Sequence, residues 1–118
     1  MTNCSLDIMT SSHLFFKCEN FQKAGAFKIR GATNAVEQLS TEELEMGVAT
    51  ASSGNHGAAL SMAVSRWGGK VTVVMPENSS LKKIENVQIN GGNIIWCEPT
   101  QESREKVLND FARETSAV

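Results

Sequence analysis

Val71-Thr72-Val73-Val74-Met75 is the stretch that most limits the folds open to this chain. It is a near-continuous apolar run closed by Pro76, and such runs suit strands covered on both faces of a parallel sheet. Upstream, Val48-Ala49-Thr50-Ala51 reads as a short strand; downstream, Asn93-Ile94-Ile95-Trp96-Cys97 reads as another. A helical pattern follows each of them. The first puts Leu60, Ala63, Val64 and Trp67 on one face and stops at Gly68-Gly69. The second runs from near Ser80 to Asn90, with Leu81, Ile84 and Val87 inward, and ends at Gly91-Gly92. The third starts at Pro99 and Thr100 and turns Val107, Leu108, Phe111 and Ala112 to its buried face. Glu102 sits in its first turn, on the favourable side of the helix dipole. Strand–helix alternation with short links predicts the α/β class: an open parallel sheet built from successive βα units with right-handed crossovers.

The part before Val48 is patterned differently. Thr2 to Ser12 reads as the tail of a helix or a loop, and Leu14 to Cys18 as a short strand. From Ile29, the residues Ala32, Ala35, Val36 and Leu39 follow helical spacing. Ser40 with Glu43 forms a capping-box signature for a short helix ending near Gly47. At the far end, Ser116-Ala117-Val118 stands where a further strand would begin.

Chemistry concentrates at two places. Lys28 follows the small-residue turn Ala24-Gly25-Ala26, at the start of an amphipathic helix. A lysine in an apolar setting can lose its proton and form an imine with a carbonyl. Its ordinary pKa is about 10.4, and burial or a nearby cation such as Arg30 would lower it. The plain alternative is a solvated lysine in a first helical turn. The second place is Ser52-Ser53-Gly54-Asn55-His56-Gly57, a glycine-punctuated turn between a strand and a helix. Such a turn offers free backbone N–H groups to an anion, with Gly54 supplying backbone freedom. The plain alternative is an ordinary strand-to-helix turn with a serine cap. His56 could serve as a base by its type, but orienting the turn is the role it suits better. Imine chemistry and carboxylate capture together suggest an amino-acid enzyme that uses pyridoxal phosphate.

Several classes are disfavoured. With 11 basic and 13 acidic residues the formal net charge is -2, which offers nothing to nucleic acid. No apolar run is long enough for a membrane span, and Met1 is followed by polar residues rather than a signal peptide. Cys4, Cys18 and Cys97 are an odd, unclustered set, read as reduced, packed thiols of a cytoplasmic protein. Neither His13 nor His56 stands in zinc-ligand spacing with them, so no metal site is expected. No Gly-x-Gly-x-x-Gly follows a strand, against a Rossmann nucleotide binder.

The motifs resemble those of the serine racemase and serine/threonine dehydratase family, which are fold-type II pyridoxal-phosphate enzymes. The resemblance lies in Phe15-Phe16-Lys17-Cys18-Glu19, Phe21-Gln22-Lys23 and Gly25 to Ala32, with Ser52 to Gly57 at the expected distance downstream. Cys97-Glu98-Pro99 and Glu102 to Glu105 also look like serine racemase. The resemblance implies that Lys28 holds pyridoxal phosphate as an imine and that Asn55 hydrogen-bonds the cofactor's ring hydroxyl. It makes Ser52, Ser53, Gly54, Asn55 and His56 the loop for the substrate carboxylate. It also assigns Ser53 the face opposite Lys28, where a racemase needs a second proton-transfer group. Dehydratase-like sequences usually have alanine there. The substrates implied are L-serine, D-serine or L-threonine, in a homodimer when full-length. Some eukaryotic members bind a nucleotide; Lys23 matches one of its contacts, whereas Ala24 and Ala58 depart from the polar residues expected nearby.

Similar proteins are longer. Their glycine-rich phosphate loop and their ligands for a divalent cation (Mg or Ca) lie further downstream. The expectation is therefore a truncated chain. Residues 1–47 would be part of the large cofactor lobe, and 48–118 a small α/β lobe incomplete at its C-terminus. The 118 residues alone would be inactive. The function read here is serine racemisation with β-elimination. The alternatives are a threonine/serine dehydratase without a racemase role, or a non-catalytic fragment.

Overall fold

The computed structural model describes all 118 residues. Helix α1 (Cys4–Thr10) is capped by the Asn3 side chain. Two single 3₁₀ turns, Glu19–Phe21 and Lys23–Gly25, lead into α2 (Lys28–Val36). Helix α3 (Thr41–Met46) begins with the predicted capping box: Glu43 N–H donates to Ser40 Oγ at 3.1 Å, and Ser40 N–H donates to the Glu43 carboxylate at 2.7 Å. It ends at Gly47, whose φ of 103° suits a residue without a side chain.

Then come β1 (Val48–Ala51), α4 (Asn55–Arg66), β2 (Val71–Pro76), α5 (Leu81–Ile89), β3 (Asn93–Cys97) and α6 (Gln101–Thr115). The three strands form one parallel sheet in the order β1-β2-β3, with Val48 beside Val71 and Thr72 beside Asn93. All six residues of β2 are buried, as its unbroken apolar run requires. Val118 begins another row on the free edge of β1. Its N–H donates to Gly47 O at 3.0 Å, and its carbonyl accepts from Ala49 N–H at 2.8 Å.

One core unites the sheet with α2 and α4: Ile29, Ala32 and Val36 join Ala58, Ala59, Leu60, Ala63, Val64, Val73 and Met75. Small residues on α4 let it lie close to β2. At Gly57 a Cβ would stand 2.8 Å from Val73 Cγ1 and 3.3 Å from Ser52 Cβ. Val73 is fully buried and has little room to yield. Gly57→Ala should therefore cost about 1–3 kcal/mol of stability, the usual penalty for overpacking. A urea unfolding midpoint unchanged by this substitution would show that the strand gives way.

Four expectations are corrected. Leu14–Cys18 is not a strand, because a strand needs a neighbour and only Met1 lies alongside. Its amino group and carbonyl pair with Phe16 alone, and Phe15 is 83% exposed. Trp67 falls just past the end of α4 and Leu81 opens α5, and both point outward. The face of α6 carrying Val107, Leu108, Phe111 and Ala112 is only half-buried. The cysteines are free, but only Cys97 is packed; Cys4 is exposed. No helix is long and apolar enough to cross a membrane.

Candidate functional site

Lys28 is the first residue of α2. The helix has no side-chain cap at Phe27, so its opening turn is held from outside. Glu19 does this: its Oε1 lies 3.8 Å from the Arg30 guanidinium and 3.7 Å from Lys17 Nζ. Lys28 Nζ rests 5.1 Å from the centroid of the Phe27 ring, a favourable place for a cation. Lys28 is exposed, as is Arg30. The apolar setting expected for the lysine is thus not formed by these residues, and Arg30's charge is partly offset by Glu19.

Lys28 opens onto a cavity of about 410 Å³ lined also by Glu19, Phe27, Arg30 and His56. His56 is what links the lysine to the second motif. It lies in the first turn of α4, and α4 packs against α2 through the shared core. Two distant stretches of sequence therefore meet at one opening. His56 titrates below its ordinary value. Partial desolvation is the larger cause, and the charge of Lys28 is the second. Both disfavour the imidazolium, so His56 is neutral at neutral pH, with one ring nitrogen left to accept a hydrogen bond. Lys28→Met removes a cation and should raise the His56 pKa. The return to an ordinary value should be incomplete, because desolvation persists. Following the imidazole carbon signals against pH by NMR tests this; an unmoved midpoint would mean the two side chains are not coupled.

The turn itself is organised by Ser52. Its backbone N–H donates to Val74 O, which ties it to the central strand. Its buried hydroxyl accepts from Gly54 N–H at 3.2 Å and from Gly57 N–H at 2.9 Å. The N–H groups of Ser53, Asn55 and His56 are left without an acceptor in the chain. Ser53 is half-buried and Asn55 exposed. Of the predicted loop, only His56 lines the Lys28 cavity; Ser52, Ser53, Gly54 and Asn55 lie on the same turn, outside its wall. A side chain has no room at Gly57, where Val73 and Ser52 stand close. The sequence reading passed over one neighbour: the methylenes of Lys83 lie within 3.8 Å of where a Cβ of Gly54 would be.

The family model described as "Pyridoxal-phosphate dependent enzyme" matches residues 5–118. The chain is 46% identical over 118 residues to a rice protein described as "Serine racemase", covering 100% of this chain and 35% of that one. It is 47% identical over 114 residues to the "beta-hydroxyaspartate dehydratase" of Paracoccus denitrificans, covering 97% and 36% respectively. The structure of maize serine racemase superposes with a TM-score of 0.98 at 49% identity, over 100% of this chain and 36% of that one. The chain spans about a third of the length of each of these proteins.

Proposed function

The chain belongs to the pyridoxal-phosphate-dependent enzymes, and from that premise we propose that its residues are the lysine-bearing and carboxylate-binding part of a serine racemase that also eliminates water from serine. One observation carries this reading: Lys28 and the Ser52–Gly57 turn, far apart in sequence, meet at one cavity through His56. In this reading residues 1–47 belong to the larger lobe and 48–118 to the smaller one. The substrates are L- and D-serine, the working form is a cytoplasmic homodimer, and any divalent cation takes other ligands. No group of three or more His, Cys, Asp or Glu side chains gathers among these residues.

The residues fit the cofactor by their chemistry. A primary amine stands on the wall of an open cavity, beside an aromatic ring. The neighbouring turn has exposed Asn55, whose side-chain amide can meet a ring hydroxyl. When bound, pyridoxal phosphate supplies the electron sink that makes the substrate Cα proton acidic. The protein's part is orientation and proton transfer. Lys28 is the covalent attachment point and then moves the proton on one face of Cα. The free N–H groups of Ser53, Asn55 and His56 hold the substrate carboxylate at the start of α4, where the helix dipole favours an anion. The Ser53 hydroxyl serves the other face. His56, neutral through desolvation and Lys28, orients the turn.

The likeness to a β-hydroxyaspartate dehydratase favours a second reading, elimination without racemisation. Assaying D-serine formation from L-serine beside pyruvate release separates the two. Pyruvate without D-serine would decide for the dehydratase.

A further inference from the structure

Strand β2 is buried throughout, and Thr72 is its one polar residue. Alternation along the strand separates Thr72 from Val71, Val73 and Met75, which enter the core shared with α2 and α4. Thr72 therefore faces the other layer, where α6 lies. Its side chain is nine-tenths buried, yet its hydroxyl bonds to no other group of the chain. The sealed side-chain oxygens that lack a partner are those of Glu19 and Ser79. Thr72 Oγ1 is not among them, so it is reached from the cavity that Thr72 lines. This cavity, of about 230 Å³, lies between α6 and the N-terminal ends of the strands, with Val48, Lys70 and Asn93 on one side and Phe111 and Thr115 on the other. Asn93 stands beside Thr72 in the sheet register, and Ala49, on the opposite side, is small enough to leave room. Lys70 is the one charged residue of the wall. It joins none of the chain's ion pairs, and its backbone is fixed, because Val48 N–H donates to Lys70 O at 2.8 Å. The Thr115 hydroxyl already donates to Phe111 O at 2.7 Å. Lys70, Thr72 and Asn93 remain as donors, with Val48 and Phe111 as apolar walls. A buried hydroxyl without a partner is costly, and residues that break a local rule without compensation tend to mark function.

We propose that this cavity is a second ligand site, which takes a small monocarboxylate with a short apolar body. The carboxylate pairs with Lys70 and accepts from Thr72 and Asn93, while the apolar body rests on Val48 and Phe111. Water occupies about 30 Å³ per molecule in the liquid, so the cavity has room for a ligand of a few heavy atoms. The site shares no residue with the Lys28 cavity. The Ser52–Gly57 turn follows the C-terminal end of β1, whereas this cavity lies at the N-terminal ends of the strands. A bound carboxylate would tie α6, whose inner face is only half-buried, to the central strand.

The test uses maize serine racemase with its matched segment replaced by these 118 residues, since the backbones superpose with a TM-score of 0.98. Threonine methyl groups are labelled with carbon-13, and the Thr72 and Thr115 signals are identified by their loss in Thr72→Val and Thr115→Val. Sodium propionate, added at constant ionic strength, should move both signals to saturation. Propionamide, which has the same shape without the charge, should move neither. Lys70→Met should weaken propionate binding about two- to fivefold at low salt, as for an exposed ion pair, and Lys70→Arg should bind like the parent. In Thr72→Val, followed at Thr115, binding should weaken about tenfold through loss of a hydrogen bond to a charged group. Because the hydroxyl bonds to nothing in the chain, Thr72→Val should not lower the urea unfolding midpoint. A lowered midpoint would give the hydroxyl a structural role and overturn the proposal. Signals that stay put, or that move alike for propionate and propionamide, would overturn it as well. So would a propionate affinity unchanged in both Lys70→Met and Thr72→Val, by showing that the carboxylate binds elsewhere.

Discussion

Borohydride reduction in the presence of pyridoxal phosphate, followed by peptide mapping, should place the pyridoxyl group on Lys28. The chain offers other amines close by, at Lys17 and Lys23. Lys17 is drawn toward the Glu19 carboxylate at 3.7 Å, and Lys23 lies in the 3₁₀ turn before α2. Of these lysines only Lys28 lines the cavity that His56 shares. The suitable protein is maize serine racemase with its matched segment replaced by these 118 residues, because the backbones superpose over the whole chain with a TM-score of 0.98. In that chimera Lys28→Ala removes the covalent attachment and the proton-transfer group together. The loss of racemisation and elimination should be at least the 10²–10⁴-fold typical of one missing acid–base group. A pyridoxyl group on Lys17 or Lys23, or activity that survives Lys28→Ala, would take away the site assignment.

In the same chimera Ser53→Ala should divide the two activities. Racemisation needs proton exchange on both faces of Cα. Lys28 serves one, and the Ser53 hydroxyl is the group this reading assigns to the other. Alanine keeps the Ser53 N–H, which has no acceptor in the chain, so capture of the carboxylate is retained. Exchange between L- and D-serine should fall about 10²–10⁴-fold. Elimination from L-serine begins with removal of the proton that Lys28 takes and needs no delivery from the opposite face. Pyruvate release should survive, changed only through positioning of the carboxylate. If D-serine formation and pyruvate release fall by one common factor, Ser53 is a binding-loop residue and the dehydratase reading gains ground.

What could be read from the sequence was what local rules decide. The Ser40–Glu43 box, the buried run of β2 and the turn after β1 all depend on residues a few positions apart, and they stand where the spacing put them. So do the places of Lys28 and His56, because each lies in the first turn of a helix. What failed depends on distant neighbours. Leu14 to Cys18 has the composition of a strand but no strand beside it. Trp67 and Leu81 fit the apolar spacing of their helices but sit at helix ends, past the core. The lack of room for a side chain at Gly57 has no local signal either, because it is Val73 from the central strand that presses in. Lys83 gave no signal at all, because its approach to Gly54 follows from the packing of two βα units.

The buried hydroxyl of Ser52 has one more consequence. A serine in such a motif invites the assumption that it touches the ligand. Here its oxygen already holds Gly54 and Gly57, so the turn has its shape before anything binds. Ordering a loop on binding costs about 1–2 kcal/mol per residue in backbone entropy, and a turn moulded in advance avoids that cost. In the proposed reading, where this turn receives the substrate carboxylate, the socket is rigid toward its guests: it can reject a carboxylate that does not fit but cannot reshape itself to accept one. A change in preference between amino acids would then have to come from the walls around the turn, while Ser52 keeps the mould.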